Sequence, residues 1–202
     1  MAMPATATVT KERDVRMHAE LWHTSKCLLQ RGQEQEEGSV LQFRASLVFT
    51  TFALEAYLNW LADQFVANWD YLERRLELKD KIKVVSRQLG VVIDLGKPPG
   101  SIVGELVKFR NLMAHGKPAP PLTSETTEPA DEHLDAKLGE RLRAEWELYC
   151  TEKSAEQAIA AACSIAETLH KAAKFGESES SDPFFSGFQV HSAKLKSDWM
   201  DP

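Results

Sequence analysis

The segment FRNLMAHGKP, residues 109–118, puts Arg110, Asn111 and His115 close together in an otherwise apolar stretch. An arginine is permanently charged and forks onto phosphate oxygens. A histidine gives or takes a proton near neutral pH. At a helix C-terminus the backbone dipole favours the imidazolium, which binds phosphate or protonates a leaving alkoxide. An asparagine can orient the histidine or a ribose hydroxyl. Together these groups suit RNA cleavage, with the ribose 2′-OH as nucleophile and a cyclic phosphate as product, and they need neither metal nor cofactor. Helical geometry sets a constraint. At 100° per residue, Asn111 and His115 lie about 40° apart around the axis, and Arg110 lies about 140° from His115. One helix aims Arg110 and His115 at one point only if the long arginine curls. Otherwise a second, antiparallel copy must merge two sets across a two-fold axis.

The elements that must hold these residues are helices, because apolar residues recur at helical spacing along most of the chain. Ser101 starts the helix that carries the motif, and Ile102, Leu106, Phe109 and Met113 form its core stripe. Gly116 and Pro118 end it. Upstream, a first helix is expected over 11–31, capped near Thr10 and ended near Gly32. After the acidic loop RGQEQEEGS, Ser39 caps a long helix over 40–67. Its apolar residues cover most of its circumference, which marks the central helix of a domain. One or two shorter helices follow over 70–89, stopped by Gly90. VVIDLGKPPG reads as a loop, and so does the Pro/Thr/Glu-rich stretch after Pro118. Two more helices are expected, over 131–149 and 152–175, the second Ala-rich and able to pack closely. The expected fold is all-α, an up-and-down bundle of four to five main helices. Its domain spans 11–175, between a flexible N-terminus (1–10) and a poorly ordered tail (176–202).

Composition narrows the function. The net charge of −6 argues against a generic nucleic-acid coat or a polybasic membrane binder, but leaves room for a local basic pocket. Cys27, Cys150 and Cys163 are odd in number and widely spaced, which argues against a disulfide framework or a zinc knuckle. The N-terminal residues lack the apolar core of a signal peptide. The longest apolar run carries Glu55, Asn59, Asp63 and Gln64, which a membrane span should not. These features predict a cytoplasmic protein with no membrane partner.

Arginine and histidine a few residues apart are not specific, since Arg13 with His18 and Arg16 with His23 match equally well. The stricter R-N-x-x-x-H at Arg110, Asn111 and His115 is much rarer, and it resembles the signature of HEPN domains. The upstream TTFALEAYLNWL, residues 50–61, resembles the long helix of bacterial HEPN proteins. The resemblance is carried by these two segments and implies an all-α bundle. It also implies a homodimer formed through the 101–115 helix, and a metal-independent endoribonuclease serving as a toxin or phage-defence effector, with an antitoxin or other regulatory protein as partner. By the resemblance, Arg110 and His115 are the catalytic pair, Asn111 assists, and Glu55 pairs with Arg110 to fix its direction. Asn59 is a further supporting residue, and Lys108, Lys117, Arg74 and Arg75 are candidate RNA contacts. The chain departs from H-x-Y, the form modified in some toxin–antitoxin pairs, and reads His115-Gly116-Lys117.

Other readings compete. The motif also fits a helix end with an arginine in a surface ion pair, a solvated asparagine and a capping histidine. Glu55 and Asn59 also fit a buried hydrogen-bonded pair, and the basic stretch 74–87 also fits a solvated helix face. Glu20-x-x-His23 and Glu167-x-x-His170, with Glu55 and Glu105, have the composition of a di-iron site, although their order along the chain is unusual for one. A catalytically silent HEPN-like module binding RNA, a nucleotide or a protein is the main alternative. The aromatic tail (Phe184, Phe185, Phe188, Trp199) would suit docking on another subunit or over the cleft.

Overall fold

In α2 (Ser39–Phe65), apolar side chains occupy nearly every side, eleven of its residues are buried, and most of the other helices pack around it. Leu47, Leu54, Tyr57, Leu58 and Leu61 are wholly buried, and each contributes about 1.5–3 kcal/mol of apolar burial. The structure is a computed structural model that describes residues 8–13, 16–116, 144–175, 180–184 and 190–196. Among these are seven helices, so the all-α expectation holds. Five are long: α1 (Met17–Glu34), α2, α4 (Leu78–Gln88), α5 (Gly100–His115) and α7 (Glu152–Ala173). Two are short, α3 (Trp69–Glu73) and α6 (Glu145–Tyr149). Of the helix expected over 131–149, only the α6 part lies within the described residues. No described helix is long and apolar enough to cross a membrane.

α1 and α2 form an antiparallel hairpin, since Gly32 meets Phe43, Ser25 meets Ser46 and Thr50, and His18 meets Tyr57 and Trp60. Small hydroxylated residues let the two backbones approach. Ser25 Oγ lies 2.6 Å from Thr50 Oγ1, and the Ser46 hydroxyl donates to the Ser25 carbonyl at 3.0 Å. Each buried hydroxyl is thereby satisfied. α7 packs its alanines (155, 158, 161, 162 and 166) against this pair, and Thr151 caps its N-terminus by accepting from the Ser154 amide. A second, smaller apolar cluster joins Phe43 and Leu47 of α2 to Leu106 and Phe109 of α5 and Ala155 and Ala158 of α7. It anchors the helix that carries Arg110 and His115.

Several boundaries differ from the sequence reading. Thr10 does not cap a helix but lies in a strand, β1 (Thr8–Arg13), which pairs antiparallel with β2 (Val190–Lys196). α1 does not stop at Gly32, which is buried inside it. This glycine is there for close approach, since a Cβ would lie 2.5 Å from the Phe43 ring. Ser39 is the first residue of α2 and not its cap. Gly38 takes that place at φ +77°, a conformation that other residues rarely adopt. Gly116 ends α5 in an extended conformation, not as a left-handed cap. Phe184, expected in a loose tail, stacks on Trp22 at 4.0 Å and is buried. Phe185, Phe188 and Trp199 lie outside the described residues.

These contacts separate two glycines that both lie within helices. Gly32→Ala should destabilise the fold by about 1–3 kcal/mol through overpacking against Phe43. Gly104→Ala meets only the flexible end of Lys79, at 3.4 Å, and should be neutral or stabilising by up to about 1 kcal/mol. Urea unfolding of the two variants beside the parent measures both.

Candidate functional site

α2 carries Glu55 one turn before Asn59, on the side facing α4 and α5. Its carboxylate bridges two cations. Lys81 Nζ of α4 lies 2.9 Å from Oε1, and Arg110 Nη2 of α5 lies 3.1 Å from Oε2. Lys81 is only 3% exposed, against 26% for the Glu55 side chain and 22% for that of Arg110. A buried ammonium needs a close counter-charge, and Glu55 supplies it while turning Arg110 toward the same point. The cluster has two positive groups and one negative, so it keeps a positive balance. The Arg110 Nε is buried and has no hydrogen-bond partner among the described residues.

Beside this bridge is a cavity of about 420 Å³ bordered by Glu55, Arg110, Asn111 and His115. Leu76, Glu77 and Leu78, from the α3–α4 connection, and Val107 complete its wall. Arg110 and His115, far apart by helical angle, thus reach one cavity from a single chain. The arginine is drawn across by Glu55, and His115 sits in the last turn of α5, where it is exposed. Arg110 is in an ion pair, as the alternative reading of the motif expects, but a partly buried one, and Asn111 and His115 are exposed.

The other candidate residues are dispersed. Asn59 does not border the cavity; its Nδ2 donates to Glu73 Oε1 at 3.0 Å and ties α2 to α3. Arg75 lies over the Tyr71 ring at 3.7 Å, with Nη1 donating to the Tyr71 carbonyl at 2.7 Å. Arg74 is exposed. Lys108 pairs with Glu105 at 2.8 Å, which raises its pKa. It borders a separate groove of about 500 Å³ that also contains Phe109, Leu112, Trp146 and Tyr149. Burial there pushes the Tyr149 hydroxyl up to about 12. Lys117 lies outside the described residues.

The carboxylate and histidine groups expected for a di-iron alternative are not brought together. Glu55 is bound to Lys81 and Arg110, Glu105 to Lys108, and Glu167 to Lys171 and Cys163. His170 is buried, with Nε2 donating to the Ser180 carbonyl at 2.8 Å and Nδ1 hydrogen-bonded to the Tyr57 hydroxyl at 3.1 Å. Among the described residues, no three His, Cys, Asp or Glu side chains are grouped to hold a metal ion. Two of the three thiols, Cys150 and Cys163, are unsuited to chemistry near neutral pH. Burial, with Glu167 beside it, pushes Cys163 up to about 11, and burial also raises Cys150.

Two residues of the site were not singled out from the sequence, Lys81 and Glu77. Lys81 lies in the basic run, which suggested a solvated face. Yet Leu78, Lys81, Ile82 and Val85 follow the i, i+3, i+4, i+7 spacing of a buried stripe, and all four are buried. A lysine on such a stripe requires a carboxylate, and the one acidic residue in the middle of α2 supplies it. Nothing in the pattern around Glu77 distinguishes it from a capping or surface glutamate.

No protein-family model, no curated protein and no solved structure matches this chain.

The Glu55 bridge has an energetic signature. Glu55→Gln leaves the Lys81 charge buried without its partner and should cost about 2–4 kcal/mol of stability. Adding Lys81→Met should recover most of that loss, because the charge that needs the carboxylate is gone. A double-mutant cycle in urea reads both effects. Equal stability of Glu55→Gln and the parent would contradict the assignment.

Proposed function

We propose that the cavity bordered by Arg110, Asn111 and His115 is the site of a metal-independent endoribonuclease of the HEPN type. The observation that carries this reading is the meeting of these three side chains on one cavity, with Arg110 held by Glu55. The resemblance of residues 50–61 and 110–115 to the HEPN pattern supports it. In this reading the scissile phosphate binds the part of the Arg110 guanidinium that Glu55 leaves available. The ribose 2′-oxygen attacks phosphorus, the bond to the 5′-oxygen breaks, and His115 donates a proton to that oxygen. The products are a 2′,3′-cyclic phosphate and a 5′-hydroxyl. Asn111, exposed one turn before His115, orients the ribose or the imidazole. The last turn of α5 also exposes Leu112 and Ala114, which supports a homodimer contact through this helix next to the site. A toxin or phage-defence role, with a regulator that keeps the nuclease silent, is the biological setting the resemblance suggests.

One observation favours a second reading. Arg110 is already paired with a carboxylate, as it would be in a catalytically silent module that binds RNA, a nucleotide or a protein.

Cleavage of total RNA and tRNA in EDTA separates the two. The parent should cleave, and Arg110→Ala and His115→Ala should each be slower by about 100-fold or more while keeping the parent's helical circular dichroism. Variants that cleave as well as the parent would refute the site. A parent that binds RNA without cleaving it would favour the second reading.

A further inference from the structure

Cleavage by the ribose 2′-oxygen requires two proton transfers, one away from the 2′-OH and one to the departing 5′-oxygen. Among the described residues, the titratable or charged groups at the cavity are Glu55, Glu77, Arg110 and His115. An arginine does not give up its proton. Glu55 has one carboxylate oxygen on Lys81 and the other on Arg110, so taking a proton would break the bridge that holds the site. Only His115 and Glu77 are left to move protons.

Glu77 is placed for this. Its carbonyl accepts from the Asp80 and Lys81 amides, each at 2.9 Å, which fixes its backbone at the start of α4. Its side chain does not cap that helix and makes no ion pair among the described residues. The carboxylate is therefore committed to no structural partner there, although its backbone is rigid and its neighbours Leu76 and Leu78 also border the cavity. It faces Glu55 from α2 and Arg110 and His115 from α5. On its own helix, Asp80 is paired with Lys83 and Lys81 with Glu55. Glu77 enters from the α3–α4 connection and His115 from the end of α5, so two proton-transfer groups reach the cavity from separate elements.

We infer that Glu77 is a third catalytic residue, the general base that takes the 2′-OH proton, with His115 as the general acid; this rests on the ribonuclease reading. The Glu77 carboxylate accepts the 2′-OH proton as the new oxygen–phosphorus bond forms. The 5′-oxygen leaves with the electron pair of the broken bond and takes the His115 proton. The glutamic acid then returns its proton to solvent, and His115 regains one. Carboxylates and imidazoles are the side chains that most often take and give protons in enzyme sites.

The test is the pH profile of kcat on a short single-stranded RNA for the parent, Glu77→Gln, Glu77→Asp and His115→Ala, in EDTA. Glu77→Gln should lower kcat by about 100-fold and abolish the acid limb of the profile, while KM changes little. Glu77→Asp should keep that limb at reduced rate. A Glu77→Gln variant with the parent's kcat and an intact acid limb would overturn the role of Glu77 alone, and so would loss confined to KM. A parent that does not cleave at all would overturn the ribonuclease reading, and this inference with it.

Discussion

A carboxylate carried into an apolar interior costs several kcal/mol unless cations meet it there. Glu55 meets two, and they come from different helices. This one bridge fixes the relation of α4 and α5 to the central helix, holds a lysine that would otherwise be a buried unpaired charge, and determines where Arg110 points. Apolar packing brings the helices together, but it is tolerant of small rotations and shifts. The bridge is not, because ion-pair geometry depends on direction. The position of the cavity follows from that choice.

The rest of the fold serves the same arrangement. Phe109 and Leu106 seat α5 on Phe43 and Leu47 of α2, so the residue next to Phe109 is carried to the edge of the core, half-buried and not free in solvent. The hydroxyls of Ser25, Ser46 and Thr50 close the α1–α2 hairpin tightly, which keeps the other side of α2 rigid. His170 of α7 and Tyr57 of α2 satisfy each other on another side of α2, where His170 also reaches the Ser180 carbonyl. The groove that contains Tyr149 and Trp146 lies on the opposite flank of α5, with a carboxylate and a lysine that pair with each other at its edge.

Much of this was legible in the sequence. The apolar circumference of Ser39–Phe65 gave away the central helix, and the stripe from Ile102 to Phe109 gave the buried side of α5. The three polar residues of the motif do border one cavity, and the pairing of Glu55 with Arg110 that the resemblance implies is present. What stayed hidden depended on contacts between distant segments. Gly32 looks like a helix stop until Phe43 is placed against it. Lys81 looks solvated until its stripe is turned toward α2. Asn59 looks like part of the site, but Glu73, in a separate helix, takes it away. Glu77 has no local mark at all, because its place at the cavity depends on how α4 packs beside α5.

The chemistry of the cleaved ends tests the account most directly. Mass spectrometry of a defined RNA after cleavage in EDTA should find a 5′-hydroxyl on one fragment and a 2′,3′-cyclic phosphate on the other, as the proposed attack by the 2′-oxygen and protonation of the 5′-oxygen by His115 require. Fragments carrying 5′-phosphates and free 3′-hydroxyls would mean that water attacked phosphorus instead, and would contradict the account.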